Sequence, residues 1–179
     1  MFDGTSWLFK ILYFLTAMSP AYFLFIFTQV KLGVLGSIGL FLIISLCTIP
    51  LKIMIEKSAD EGVKTPKYEV TKIETKNGEI PSFLLGVILP SVIGGADNFI
   101  MNLIIFIVLQ LCLFILMIKS SSILPNVLLI FMGLNIFEME DGKYIFSSRK
   151  KLVEIDETTI SITRLGDSNT CNTYVRKKE

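Results

Sequence analysis

The sequence contains no histidine at all. That absence removes the commonest general base near neutral pH and the commonest metal ligand. No Cys-x-x-Cys pair and no group of acids within an apolar run takes its place, so neither a catalytic site, nor a metal site, nor a bound cofactor is expected. Cysteine is scarce as well, with three in 179 residues. Cys47 and Cys112 lie in apolar runs and Cys171 in a polar tail, a placement that suggests no disulfide framework. Charge of either sign is nearly cancelled: 17 Lys and Arg face 16 Asp and Glu. A net charge of +1 gives no global field for gathering nucleic acid, and direct nucleic-acid binding is not expected.

What the sequence does hold is apolar residues, 52% of the chain with 14 Phe and 7 Met, and they are clustered. Clustering on this scale indicates a membrane protein in contact with a lipid bilayer. Leu8 to Phe27 provides about the twenty residues an α-helix needs to cross hydrocarbon, with Lys10 able to snorkel to the headgroups. The run is too long and too bulky for a signal peptide, so it is expected to remain in the mature protein. After a tight hairpin at 29–31, Leu32 to Ile49 makes a second span, with Lys52 as an interfacial anchor. Gly33, Gly36, Ser37 and Gly39 cluster in its first half; in lipid, small residues let helix backbones approach, so they are expected to form a helix-packing surface.

Between Glu56 and Glu79 the chain is polar and nearly neutral, and a short strand is expected to run into the turn pair Asn77-Gly78. Three apolar pieces follow: Ile80–Ala96, Phe99–Ile118 and Ile123–Phe137. The lysines of the polar segment, and Arg149, Lys150 and Lys151 later on, place both polar regions in the cytoplasm, so an even number of crossings separates them. The middle piece is the clearest span. Ile80–Ala96 then serves as its partner, and Asp97 sits with Gly94, Gly95 and Asn98 in an external turn, a solvated acid rather than a working intramembrane one. Ile123–Phe137, interrupted by Pro125 and Gly133, is expected to lie in or dip into the cytoplasmic interface; the rival scheme makes it the fourth crossing and Ile80–Ala96 re-entrant. Asn102 and Gln110, on one side of their helix, are expected to hydrogen-bond between helices.

Beyond Phe137 the periodicity turns strand-like. "NIFEME", Asp141-Gly142 and "KYIFSS" form a hairpin candidate, and "KLVEI" and "TTISITRLG" are two further strand candidates. So few short strands bury little, and they are expected to be completed by the strand near Tyr68–Thr75, by the membrane-proximal segment or by another subunit. Open edges suit partner binding, with Asp141, Gly142, Tyr144, Phe146, Arg149, Lys150 and Lys151 as interface candidates. The last residues, from Asp167, read as frayed or partner-dependent. The fold class expected is an α-helical polytopic membrane protein, with four transmembrane helices and a small cytoplasmic β-rich portion. Its parts are a first helix pair at 1–55, a cytoplasmic segment at 56–79, a second pair at 80–118, a membrane-proximal segment at 119–137 and a β-rich tail at 138–179.

Two helices, a Lys-rich segment, two more helices and then "LPNVLLIFMGLNIFEMEDGKYIFSSRKKL" is an order that resembles the membrane subunit of the Kiwa antiphage defence system. The resemblance is strongest at Pro125-Asn126, Gly133 and the hairpin at Asp141-Gly142. It implies an oligomeric sensor or scaffold in the bacterial inner membrane, with both termini cytoplasmic, that works with a soluble DNA-binding defence subunit. It carries over no catalytic residue. An oligomeric channel or membrane-perturbing effector is the competing reading, and it requires a continuous polar path that Asn102 and Gln110 alone do not supply.

Overall fold

The computed structural model describes residues 2, 4–29, 33–61, 68–69, 73–83, 86, 98–119, 123–139, 142–148, 159–166 and 171–176. Helix α1 (Trp7–Ala17) starts where Ser6, in extended conformation, accepts a hydrogen bond from the Phe9 N–H through its side chain. The expected continuous span from Leu8 to Phe27 is broken: α1 ends at Met18, and α2 (Ser19–Gln29) leaves at an angle of 51°. Pro20 is the cause, since it lacks the N–H that would bond the Thr16 carbonyl and its ring crowds that carbonyl. The second span is broken in the same way. Helix α3 (Gly33–Leu46) tightens at Cys47, whose N–H bonds Ile44 at 3.0 Å, and α4 (Thr48–Glu61) resumes with Pro50 in its first turn. Pro50 likewise cannot bond the carbonyl of Leu46. The chain therefore runs as two antiparallel rods, the first bent at Met18 and the second interrupted at Cys47, with α2 packed on α3 and α1 on α4. Because α4 continues to Glu61, the first part of the polar segment is helical.

A 3₁₀ turn (Lys76–Glu79) leads into α5 (Ile80–Phe83), whose Phe83 packs on the main core. Most of the expected third span, and Asp97 with its glycines, lie outside the described residues. Helix α6 (Phe99–Lys119) follows the expected span closely and begins where the Asn98 side chain accepts from the Ile100 N–H at 2.9 Å. Among the described residues it is the one straight helix long and apolar enough to cross a membrane, with the bent α1–α2 pair passing the same test together. The four spans expected are thus represented by one or two candidates. Only 17% of the most apolar stretch of α6 is buried, and Ile100, Ile104, Ile107, Leu111, Ile115 and Leu116 face outward, which does not suit the core helix of a water-soluble protein.

Ile123–Phe137 is not one continuous helix, so it is not a helical crossing. After an extended Asn126 it forms the short helix α7 (Val127–Phe131), only about 7.5 Å long, too short to be a span. Gly133, at φ +83°, closes it: the Leu134 N–H reaches the Leu129 carbonyl and the Gly133 N–H that of Ile130, both at 2.9 Å. The chain then enters a sheet.

That sheet has the order β2 (Ile73–Thr75), β3 (Asn135–Met139), β4 (Tyr144–Ser147), β7 (Thr173–Arg176), β6 (Ile162–Arg164). The expected hairpin is present, with Phe137 opposite Ile145 and Glu138 opposite Tyr144, and so is its completion by the inter-helix segment, with Thr75 opposite Phe137. A separate two-stranded ladder joins β1 (Tyr68–Glu69) to β5 (Thr159–Ile160). The stretch "KLVEI" lies outside the described residues. One expectation is reversed: the end of the chain is not frayed there, since β7 lies parallel to β4 and antiparallel to β6, with all four of its residues buried. Its neighbours are thus a strand some thirty residues earlier and one ten residues earlier, a pairing that local pattern cannot reveal.

Candidate functional site

The two halves of the molecule meet at a junction built by α1, α4, α7 and the sheet. Helical spacing puts Phe9, Tyr13 and Thr16 on one face of α1, and all three are buried. Strand alternation sends Ile136, Tyr144, Phe146 and Val175 into the same core. The Phe146 ring lies edge-on to Phe9 at 6.4 Å and to Tyr13 at 6.2 Å, and Phe2 packs edge-on to both Phe9 and Tyr13, at 5.1 and 4.7 Å. Leu51 and Ile55 of α4, Ile123, Leu129 of α7 and Leu134 complete this core. An aromatic pair in such geometry adds about 0.5–1.5 kcal/mol beyond burial.

Polar groups lock this apolar contact in register. The Tyr13 hydroxyl donates to the Leu124 carbonyl at 2.5 Å. Asn126, with no exposed surface, donates through Nδ2 to Thr16 Oγ1 at 2.7 Å and to the Tyr13 carbonyl at 3.4 Å. Its Oδ1 accepts from the Leu129 N–H at 3.2 Å and so caps α7. Lys52 of α4 donates to the Met132 carbonyl at the other end of α7, at 3.2 Å. The short helix is therefore held at both ends by side chains from elsewhere in the chain or its own cap.

A second cluster fastens the inter-helix segment to the sheet. Lys76 reaches Glu138 at 2.7 Å and Glu79 at 2.6 Å, and the Tyr144 hydroxyl donates to Glu138 at 3.2 Å. The hydrogen bonds to Glu138 first, and to Glu79 second, raise the Lys76 ammonium above its ordinary pKa. Burial first, and the Glu138 charge second, push the Tyr144 phenol up to about 12. Both clusters position; they do not form a nucleophile–base pair. Among the described residues no group of three His, Cys, Asp or Glu is placed to hold a metal.

The residues singled out from sequence divide clearly. Gly142 sits in the hairpin turn at φ +72°, exposed, its N–H bonded to the Met139 carbonyl at 2.9 Å. Tyr144 and Phe146, expected at a partner surface, are fully buried instead, because their side of β4 faces α1. Asp141, Arg149, Lys150 and Lys151 lie outside the described residues. Asn102 makes the expected interhelical bond, donating to Gln29 Oε1 of α2 at 2.7 Å. Gln110 is buried on the same helix, yet among the described residues neither atom of its amide has a hydrogen-bond partner. Gly33, Gly36, Ser37 and Gly39 all belong to α3; a Cβ added at Gly39 would meet no atom of the described residues within 4 Å. Tyr13, Thr16, Lys76 and Glu138 carry no distinguishing mark in the sequence. Each is a hydroxyl or a charge in or beside an apolar run, a pattern too common to single out four positions.

A family model described as the anti-phage protein KwaA matches residues 9–171. No curated protein and no solved structure matches the chain.

Proposed function

Because the chain belongs to the KwaA family of anti-phage proteins, we propose that it serves as a membrane-embedded sensor or scaffold of a bacterial defence system. In this reading it converts a disturbance of the inner membrane into recruitment of a soluble DNA-binding subunit at the cytoplasmic face. The observation that carries the reading is the junction: α1 is the first half of a candidate span and at the same time a wall of the sheet's core, through Phe9, Tyr13 and Phe146. A tilt of α1 in the bilayer cannot occur without moving β4, since close-packed rings transmit displacement.

The topology of the reading rests on which elements share an end of the molecule. β2, from the inter-helix segment, pairs with β3, so the segment and the tail lie on one side of the bilayer. Phe2 packs into the same core, which brings the N-terminus to that side. Helix α6 runs the other way along the bundle: Asn102 near its start meets Gln29 at the far end of α2, whereas Met117 near its end joins the junction core. Four crossings with both termini cytoplasmic are part of the proposal, and the Lys and Arg that flank the apolar runs support that sidedness.

Recruitment rather than catalysis is the proposed output, and a homo-oligomer the proposed working form. The test is co-expression with the soluble gene product encoded beside it. Membranes should retain that product when the junction is intact and release it when the sheet is disturbed, with phage plating restored in parallel. Ion conductance in liposomes with no retention of the soluble product would replace this reading with the channel.

A further inference from the structure

The stretch before α1 carries a strained backbone. Among the described residues Phe2 is the one residue other than glycine with a positive φ, at 54°. A left-handed conformation is disfavoured for any residue with a side chain, and for a bulky one it is a genuine outlier. The surroundings hold it there. The Phe2 ring is 1% exposed and lies edge-on to Phe9 and Tyr13 at 5.1 and 4.7 Å, so it is fixed to the face of α1 that meets the sheet. Its carbonyl accepts twice from Thr5, from Oγ1 at 2.8 Å and from the N–H at 3.2 Å, which closes residues 2–5 into a turn.

The tip of that turn rests on the sheet. Gly166, just beyond the end of β6, lies so close to Gly4 that an added Cβ would collide with the Gly4 carbonyl, meeting its carbon at 2.8 Å. Leu165 beside it packs on the junction core, and its N–H bonds the Thr173 carbonyl of β7 at 3.0 Å, so this contact belongs to the sheet. The turn thus has one attachment on the helix, Phe2, and one on the sheet, Gly4. Two residues of backbone reach about 7 Å at most, so the turn cannot stretch to follow a change in the distance between α1 and the β6–β7 connection. The bonds of Asn126 to Thr16 and the rings of Tyr13 and Phe146 hold α1 further along, so a tilt of the helix displaces its beginning most. The strained element therefore sits where relative motion is largest, and strain held by few contacts marks the part of a structure that opens first.

We propose that residues 2–5 are a strap with two states, seated and withdrawn, and that tilting of α1 against the sheet unseats it. Seated, the strap holds the beginning of α1 to the β6–β7 connection and fixes the resting angle between helix and sheet. Withdrawn, Phe2 relaxes to a negative φ and the connection is freed from the helix, while the contacts of Asn126 and Phe146 persist. The strap thereby sets how far the helix moves before this end of the sheet responds. The proposal rests on the reading that α1 is part of a membrane span, and resistance of the protein to alkaline extraction from membranes checks that reading separately.

Full-length protein is placed in nanodiscs of dioleoyl or of the thinner dimyristoleoyl phosphatidylcholine, because a bilayer thinner than the span makes the span tilt. Hydrogen exchange read by mass spectrometry then follows peptides covering residues 2–9, which report the strap, and peptides covering β3–β4, which serve as the internal reference. In the wild type the strap amides should exchange about tenfold faster in the thin bilayer, the factor that losing one hydrogen bond implies, with the reference unchanged. Gly166→Ala, which drives a methyl group into the Gly4 carbonyl, should give the fast rate in both bilayers. Phe2→Ala, which removes the ring and leaves Gly166 as it is, should do the same. Strap exchange equal in the two bilayers for the wild type overturns the proposal. So does a loss of protection in β3–β4 that keeps pace with the strap in both variants, because the turn would then be an ordinary part of one cooperative unit and not a separate strap.

Discussion

Asn126 offers the sharpest test of the junction, because two explanations of the same residue predict opposite orders of damage. As an N-cap alone, its work is the bond from the Leu129 N–H to Oδ1, and Asp caps a helix as well as Asn does. As the knot between α7 and α1, its work includes the donor bond from Nδ2 to Thr16 Oγ1 at 2.7 Å, which a carboxylate cannot make. Asn126→Ala loses the cap, about 1 kcal/mol, and the bond to Thr16, about 1 kcal/mol more. Asn126→Asp keeps the cap but sets an unpaired charge in a site with no exposed surface, beside the Tyr13 carbonyl, a loss in the range of about 3–5 kcal/mol. At about 2–4 °C per kcal/mol for a chain of this size, the apparent melting temperature should fall by about 4–8 °C for Ala and by more for Asp. The carboxyl introduced by Asn126→Asp will have a raised pKa in the folded state. Its neutral form is the one the fold accepts, so the variant should be more stable at pH 4.5 than at pH 7.5. Trp7 emission during a thermal ramp in mild detergent measures all of this. An Asp variant that melts with the wild type, beside an Ala variant only about 1 kcal/mol weaker, would reduce Asn126 to a cap and remove it from the joint.

The Tyr144 phenol rises from 10.0 unfolded to about 12 folded, so its proton leaves the unfolded chain first; stability should be level below about pH 10, fall between about 10 and 12, and fall less in Tyr144→Phe, as read by far-ultraviolet dichroism. Gly142→Val forces a branched residue into φ +72°, where nothing crowds it, so the cost is backbone strain of about 1–2 kcal/mol; membrane insertion should persist while the soluble subunit is lost from the membranes in a pull-down. Gly39→Leu meets open space among the described residues, so the melting temperature of the monomer should hold while the mass of the detergent-solubilised assembly drops in light scattering; an unchanged mass would leave that face of α3 to lipid. In a variant with Cys47, Cys112 and Cys171 replaced by Ala, a thiol at Asn98 should react with a membrane-impermeant maleimide in intact cells, whereas thiols at Lys57 and Ser148 should react only after permeabilisation; labelling of Ser148 from outside would reverse the orientation.

Some features are properties of a few adjacent residues, and these were legible without a structure. An uninterrupted run of apolar residues determines α6, because in lipid only a helix satisfies every backbone group over that length. Asp141-Gly142 between alternating residues determines the β3–β4 hairpin, because only such a turn joins antiparallel strands so closely. Pro20 and Pro50 lie within runs whose hydropathy is continuous, because a proline leaves hydropathy high while it removes a backbone bond four residues back and so breaks the helix. Other features depend on what lies opposite. The sequence Thr-Tyr-Val-Arg near the end of the chain is strand-like but short, and it becomes buried only because β4 and β6 flank it. Tyr144 and Phe146 look like surface candidates on an open hairpin until α1 covers them. Sequence by itself determined that the chain is apolar enough for lipid and where its turns fall, because hydropathy and backbone preference are local. Only the tertiary structure decided that the first helix belongs to the sheet's core as well as to a candidate span, because burial is a property of two surfaces and the second lies more than a hundred residues away.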